Sequence, residues 1–340
     1  MEAQMDRENG NKGYLFNLIF YSHEPKRSEY FQKVVQTFIE KYPSRVIYIQ
    51  SFSDQERDQL EVKTQQGKKD NINYDQILIT VSKSQLHEVP FVILPKLVPD
   101  LPIYLVWGQN PTSDNEILHQ LEKLATRFVF DSECANDLQD FSAKMLGKIA
   151  GLKIDFMDVS WANISGWRDV IAQTFNSSEK LEYLNQCSRL LIKYNRLESK
   201  FIHHPSIQAI FLQGWLAAQL GWEYKTIEYK NEIIINYALQ KSNLEVVLKP
   251  QERTTLAPGR VFEVEFHGPN DLTTTLTLAE KQSKVMIYIS TLEKCELPFS
   301  FPIPDMSKGL TAMKEVFYYR ASAHYRNMLG VIKKIPWNEF

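Results

Sequence analysis

The feature that most constrains this chain is an alternation of short apolar runs with helically spaced segments through its first 150 residues. Tyr14 to Phe20 (YLFNLIF) is an apolar run of strand length. The following EYFQKVVQTFIEKY places Tyr30, Val34, Phe38 and Ile39 at helical spacing, and Pro43 and Ser44 end it before a second β-branched run, Arg45 to Gln50 (RVIYIQ). Strand, helix, strand at this spacing is a crossover unit, which predicts a parallel pair. Tyr74 to Val81 reads as a third strand whose flanks look like loop and short edge strand, after a polar separator rich in Gln and Lys. SQLHEVPFVILPKLVPD reads as a helix broken near Pro90 and Pro95. Ile103 to Trp107 (IYLVW) then reads as a buried strand, 114–125 as a helix, 127–131 as a strand and 135–149 as a helix. The pattern predicts an α/β domain of three layers with a mostly parallel sheet, Rossmann-like, over 14–152.

Beyond that point the period changes. Ile164 to Phe175, Glu179 to Gln186 and Pro205 to Leu220 read as helices, the last strongly apolar and ended by Gly221. Six short runs follow (EYKTIEYK, EIIINYAL, NLEVVLKP, RVFEVEFH, TTTLTLAE and KVMIYIS), separated by turn signals, and a helix from Ser307 to Leu329 closes the chain. We expect an α+β domain over 153–340 with an antiparallel sheet packed on helices. Residues 1–13 are expected to form a disordered head.

Charge and cysteine content narrow the function. Lys and Arg number 39 against 41 Asp and Glu, with no long run of one sign, so no concentrated basic face is offered to a nucleic acid. There is no apolar stretch of membrane-spanning length and no signal-like N-terminus, so a cytoplasmic protein without a membrane partner is expected. Cys134, Cys187 and Cys295 are widely spaced and odd in number, which encodes neither a disulfide framework nor a cysteine metal site.

Catalytic signatures are missing where they would belong. The first strand is followed by YSHEPKRS, with no GxGxxG. No GxxxxGK followed by Ser or Thr, no HExxH and no GxSxG occurs in the sequence. His203 and His204 are adjacent and so point in different directions, a poor metal pair. No metal or cofactor is expected. Candidate binding residues are of two kinds. His23, Gln109 and Asp131 follow three strands at the end where α/β sheets bind ligands, and a sugar phosphate is the natural occupant of such a crevice. Trp107, Trp161 and Trp167 stand near loops and could anchor a protein interface or pack the core.

Several segments, in one order, resemble a known family. They are NLIFYSHEPKRSEYFQKVVQTFIEKYPSRVIYIQ, LPKLVPDLPIYLVWGQNP, RFVFDSE, DVSWANISGWRDVIAQTF and GWLAAQLGWE, and they resemble the glucose-6-phosphate dehydrogenase assembly proteins, the OpcA family. The likeness runs from about Leu15 to Trp222 and more loosely to about Leu329. It implies a non-enzymatic partner and allosteric activator of glucose-6-phosphate dehydrogenase, the NADP-dependent enzyme that opens the oxidative pentose phosphate pathway. Arg45, Asp100, Trp107, Trp161, Trp167 and Arg168 lie in the most specific motifs and are the partner-binding candidates. The alternative is a small-molecule binding protein or enzyme using the crevice of His23, Gln109 and Asp131.

Overall fold

A computed structural model describes residues 13–23, 42–52, 59–69, 72–199, 202, 204–240, 242–279, 283–303 and 322–337. The expected head up to residue 12, the helix expected between the first two strands, His203 and the expected helix from Ser307 up to residue 321 lie outside them. The chain divides into two compact units. One is Met1–Cys134 with Lys153–Met157, and the other is Ala135–Leu152 with Asp158–Phe340.

The first unit is built on β1 (Phe16–His23), β2 (Ser44–Phe52), β3 (Leu60–Lys69), β4 (Ile72–Ser82), β5 (Ile103–Trp107), β6 (Arg127–Phe130) and β7 (Asp155–Asp158). They form one sheet in the order β3-β4-β2-β1-β5-β6-β7. β1 runs parallel to β2 and β5, β2 to β4, and β5 to β6, so the sheet is mostly parallel, as expected from the alternation. β3 is the exception. The polar LEVKTQQGKK pairs antiparallel with β4 at the sheet edge, where backbone hydrogen bonds hold it without an apolar face. Burial of all but the last residue of β1 explains its continuous apolar run. The proline-rich stretch after β4 folds into single turns around α1 (Val89–Ile93), and α2 (Glu116–Glu122) follows β5. Asn17 ties this unit together. Its side chain donates to the Val98 carbonyl at 3.0 Å and accepts from the Val98 N–H at 2.8 Å, pinning the turn that carries Asp100.

The second unit holds α3 (Leu138–Gly151), α4 (Val159–Asn163), α5 (Ser165–Thr174), α6 (Ser178–Asn185), α7 (Ile207–Leu220) and α8 (Ala323–Ile332). Its sheet comprises β8 (Arg189–Asn195), β9 (Glu223–Tyr229), β10 (Ile233–Ala238), β11 (Asn243–Gln251), β12 (Val261–His267), β13 (Thr273–Ala279), β14 (Lys284–Ser290) and β15 (Phe299–Pro302). The order is β15-β14-β13-β12-β8-β11-β10-β9. Six of these strands were expected from their alternation, and β8 and β15 were not. The sheet is antiparallel except for β8 with β11, which pair parallel. α7 is apolar nearly all round because it is buried on most sides, and Gly221 closes it in the left-handed conformation at φ 66°. α8 crosses α7 so closely that a Cβ at Gly214 would lie 2.7 Å from Ile332 Cδ1.

A second glycine sets a tighter limit. A Cβ at Gly268 would sit 2.0 Å from the Tyr183 ring, whose hydroxyl is fixed by donation to the Phe266 and Leu272 carbonyls at 2.9 and 3.1 Å. Gly268→Ala is therefore expected to destabilise the chain by about 1–3 kcal/mol, read as a lower urea midpoint. An unchanged midpoint would show that the ring can yield.

Candidate functional site

Two regions follow from the sequence, the strand ends of the first unit and the segment opening the main run of the second. At the strand ends, Tyr21 pairs in register with Trp107, and Trp107 with Phe130, so the chain beyond these residues leaves three neighbouring parallel strands at one edge. His23, Gln109 and Asp131 thus belong to adjacent strand ends, as their positions in the sequence imply. Two of them are committed to the fold. His23 Nδ1 lies 2.8 Å from Ser51 Oγ, and buried Asp131 accepts the Glu133 N–H at 3.2 Å, as the carboxylate of a tight turn. Tyr21 stacks on Trp107 with centroids 4.1 Å apart and 10° between planes, and its hydroxyl lies 3.0 Å from the same Ser51 Oγ. No sequence motif marks Tyr21 or Ser51. Only the register of parallel β1 and β2 brings them together.

The segment DVSWANISGWRD forms α4 and the start of α5. Asp158 caps α4 through the Ser160 N–H at 3.0 Å and accepts the Tyr325 hydroxyl of α8 at 2.8 Å. Trp161 packs on Tyr325, and Arg168 lies 3.6 Å over the Trp161 ring while donating to its carbonyl at 2.6 Å. Trp167 donates from Nε1 to the Val261 carbonyl at 3.1 Å.

These contacts correct the expected aromatic surface. Trp107, Trp167 and Trp161 are only 0%, 2% and 8% exposed, so the motif that carries the family likeness is packing of the fold and not a set of outward anchors. Arg45 is also used internally. It pairs with Asp75 at 2.9 Å and donates to the Lys96 carbonyl at 2.8 Å. Among the six, Asp100 is exposed, at φ 62° in a turn that a short polar side chain tolerates.

Exposed apolar side chains gather instead at the turn between β14 and β15. Leu292 is 86% exposed, Leu297 91% and Phe299 36%. The Ile303 N–H donates to Ser283 across this pair, so in β15 the backbone groups of Phe301 and Phe299 face β14, and those of Ser300 and Pro302 face outward. Pro302 has no N–H. This edge therefore offers one outward donor, at Ser300, and is a poor template for strand addition. Its contacts with another chain would be made by side chains. The sequence signal was present in the uncharged Leu297–Pro302 run, but without a strand assignment it had no direction.

On the same sheet Lys193 bridges Glu263 and Glu265, the latter at 2.6 Å, with His267 at 3.5 Å from Glu265. Burial alone would raise the Glu265 carboxyl. The hydrogen bond from the Lys193 ammonium and the positive charge of Lys193 and His267 nearby outweigh it and hold Glu265 below the ordinary carboxylate value. A depressed carboxylate stabilises the fold above its unfolded pKa of about 4.3, and that contribution is lost as pH falls through the lower folded value. Urea midpoints should therefore fall on acidification from neutral pH, and Lys193→Met should flatten that dependence. An equally steep profile in the variant would exclude the cluster as its source. Cys187 is buried and its thiol is pushed up to about 12, while Cys295 is exposed. No helix among the described residues is long and apolar enough to cross a membrane.

Comparison with known proteins agrees with both units. The backbone is similar to that of a 3-ketoreductase from Actinomadura kijaniata solved with NADP, at 8% identity, covering 95% of this chain and 97% of that one with a TM-score of 0.52. It is equally similar to UDP-N-acetylglucosamine 3-dehydrogenase from Acidithiobacillus ferrooxidans, at 7% identity, the same coverage and a TM-score of 0.52. At such identity the likeness is one of fold. Proteins named OpcA, of the OxPP cycle, are 24% identical over 142 residues in Synechococcus elongatus and 22% over 156 residues in Nostoc punctiforme. These matches cover 42% and 46% of this chain but only 30% and 31% of the relatives' own length. Two domain models of one family match residues 36–146 and 154–304, described as the glucose-6-phosphate dehydrogenase subunit N-terminal and C-terminal domains. Together they take in most of the sequence and both structural units, and the chain belongs to this OpcA family.

Proposed function

We propose that this chain is a non-enzymatic assembly factor of glucose-6-phosphate dehydrogenase in the oxidative pentose phosphate pathway, acting in the cytoplasm to support the active oligomer. The observation that carries this reading is the match of both units to domains described as subunits of that enzyme, supported by relatives named for the same cycle. An activator of this kind binds the competent state of its target more tightly than the incompetent one, and activation is bounded by that difference. The contact surface we assign is the β14–β15 turn with Leu292, Leu297 and Phe299, the densest run of exposed apolar side chains in the second unit's described residues.

Size-exclusion chromatography with light scattering tests the assembly step. Mixed with the dehydrogenase of its own organism, the chain should co-elute in a complex heavier than either component. Separate elution at micromolar concentrations would exclude a stable complex. It would return attention to the strand-end crevice and to sugar phosphates as ligands.

A further inference from the structure

An edge strand turns the backbone N–H and C=O of every second residue away from its sheet, and these groups are a template for another strand unless the sequence blocks them. At β15 Pro302 is such a block. β3 closes one edge of the first unit's sheet, pairs with β4 in unbroken antiparallel register from Leu60 to Lys69, and contains no proline. The Ser82 N–H donates to the Gln59 carbonyl at 2.9 Å, which makes Gln59 and Ser82 a hydrogen-bonded pair. Such pairs alternate along the ladder. Glu61, Lys63 and Gln65 therefore turn their backbone groups toward β4, and Leu60, Val62 and Thr64 turn theirs outward. Among the described residues no strand pairs with that outer edge. Val62 is 37% exposed, and Lys63, Thr64 and Gln65 are exposed with it. A lysine ordinarily guards an edge by repulsion, but here the Lys63 ammonium lies 3.0 Å from the Glu61 carboxylate on the same face of the strand.

We propose that β3 pairs antiparallel with β3 of a second copy of this chain about a twofold axis at Val62, so that the first unit's sheet runs on through both copies. A twofold axis normal to a sheet sets one residue opposite its own copy, and the sequence selects which. Centred on Glu61 or Lys63, it would set like charges face to face. Centred on Leu60 it leaves Glu61 opposite Gln59, and centred on Thr64 or Gln65 it leaves Lys63 opposite Gln65 or Gly67, without an acid. Centred on Val62, it sets Glu61 opposite Lys63 of the second copy and Lys63 opposite its Glu61. Acid, apolar, base is an order that becomes its own complement when the strand is reversed, and for that reason a second copy is the partner this edge fits. The backbone agrees with that register. Val62 with its own copy, and Leu60 with Thr64, become hydrogen-bonded pairs through the outward groups, while Glu61 and Lys63 become non-hydrogen-bonded pairs, in which facing side chains stand closest. On the other face the two Val62 side chains meet and leave water. An interface this short is a weak and reversible one.

The test uses the full chain alone, so its outcome is independent of the assembly experiment. Sedimentation velocity from about 1 μM to about 1 mM, the span of weak associations, should show a reversible shift from monomer to dimer. Val62→Pro removes an N–H that β4 does not use, so it should keep the strand and raise the dimer dissociation constant at least about tenfold. Glu61→Lys and Lys63→Glu should each weaken the dimer to a similar degree, because each sets like charges opposite one another on both sides of the axis. An equimolar mixture of these two variants should dimerise as the wild type does, since every facing charge pair is again opposite in sign. A wild-type chain that stays monomeric throughout, a dimer indifferent to Val62→Pro, or a mixture that associates no better than either charge variant alone would each overturn the proposal. If Val62→Pro fails to fold, the exposed charge variants and their mixture still decide it.

Discussion

Trp107→Ala is expected to destabilise the first unit by about 3–5 kcal/mol, the range for removing a large aromatic from a core. Trp107 is fully buried, ends β5, and stacks on Tyr21 of the neighbouring parallel strand. Its removal would open a cavity under the hydrogen-bond chain of Tyr21, Ser51 and His23. The indole N–H is buried and no partner meets it among the described residues. An unmet donor of this kind costs about 1–3 kcal/mol. Trp107→Phe removes that donor while keeping an aromatic face, so its loss should be well below that of Trp107→Ala. Urea unfolding of both variants checks this. Equal losses would mean that a ring at this position contributes neither by stacking on Tyr21 nor by filling the space.

The pair Leu292→Asp and Leu297→Asp should leave folding within about 0.5 kcal/mol of wild type, because substitutions on exposed positions away from packed features rarely do more. The same pair should weaken activation of the dehydrogenase at least about tenfold in the concentration required, since burying two unpaired carboxylates in an apolar contact costs more than the roughly 1.4 kcal/mol that a tenfold change represents. The control is Trp167→Phe. This ring is 2% exposed and donates to Val261 inside the second unit, so the change should lower stability and leave the activation of the remaining folded chain intact. Full activation by the Leu292/Leu297 double variant would remove the turn from the contact surface.

The parallel core of the first unit was legible because β1 and β5 are apolar along nearly their whole length and β2 through its Val46–Ile49 centre, as strands covered on both faces must be. β3 was not legible. In its LEVKTQQGKK, Leu60, Val62 and Thr64 alternate with Glu61, Lys63 and Gln65 for three pairs only before the pattern turns wholly polar, and its ten residues are a strand because β4 supplies backbone partners from outside it. The same holds for β8, whose Arg189, Leu190, Leu191, Ile192 and Lys193 mix charge and burial. It lies at mid-sheet, parallel to β11 and antiparallel to β12. For the site, His23, Gln109 and Asp131 were placed at neighbouring strand ends from the sequence alone. Their partners were invisible, because Ser51 reaches His23 only through the β1–β2 register. The tryptophans misled for a physical reason. A large aromatic in a specific motif marks either an anchor or a packing element, and burial, which the sequence does not print, decides between them.

The most direct test of the account is the rate of NADP reduction by glucose-6-phosphate dehydrogenase from the same organism, followed as this chain is titrated in, with oligomer mass measured on the same samples. Rate and mass should rise together and saturate at one stoichiometry. A rate and a mass that both stay flat through the titration would contradict it.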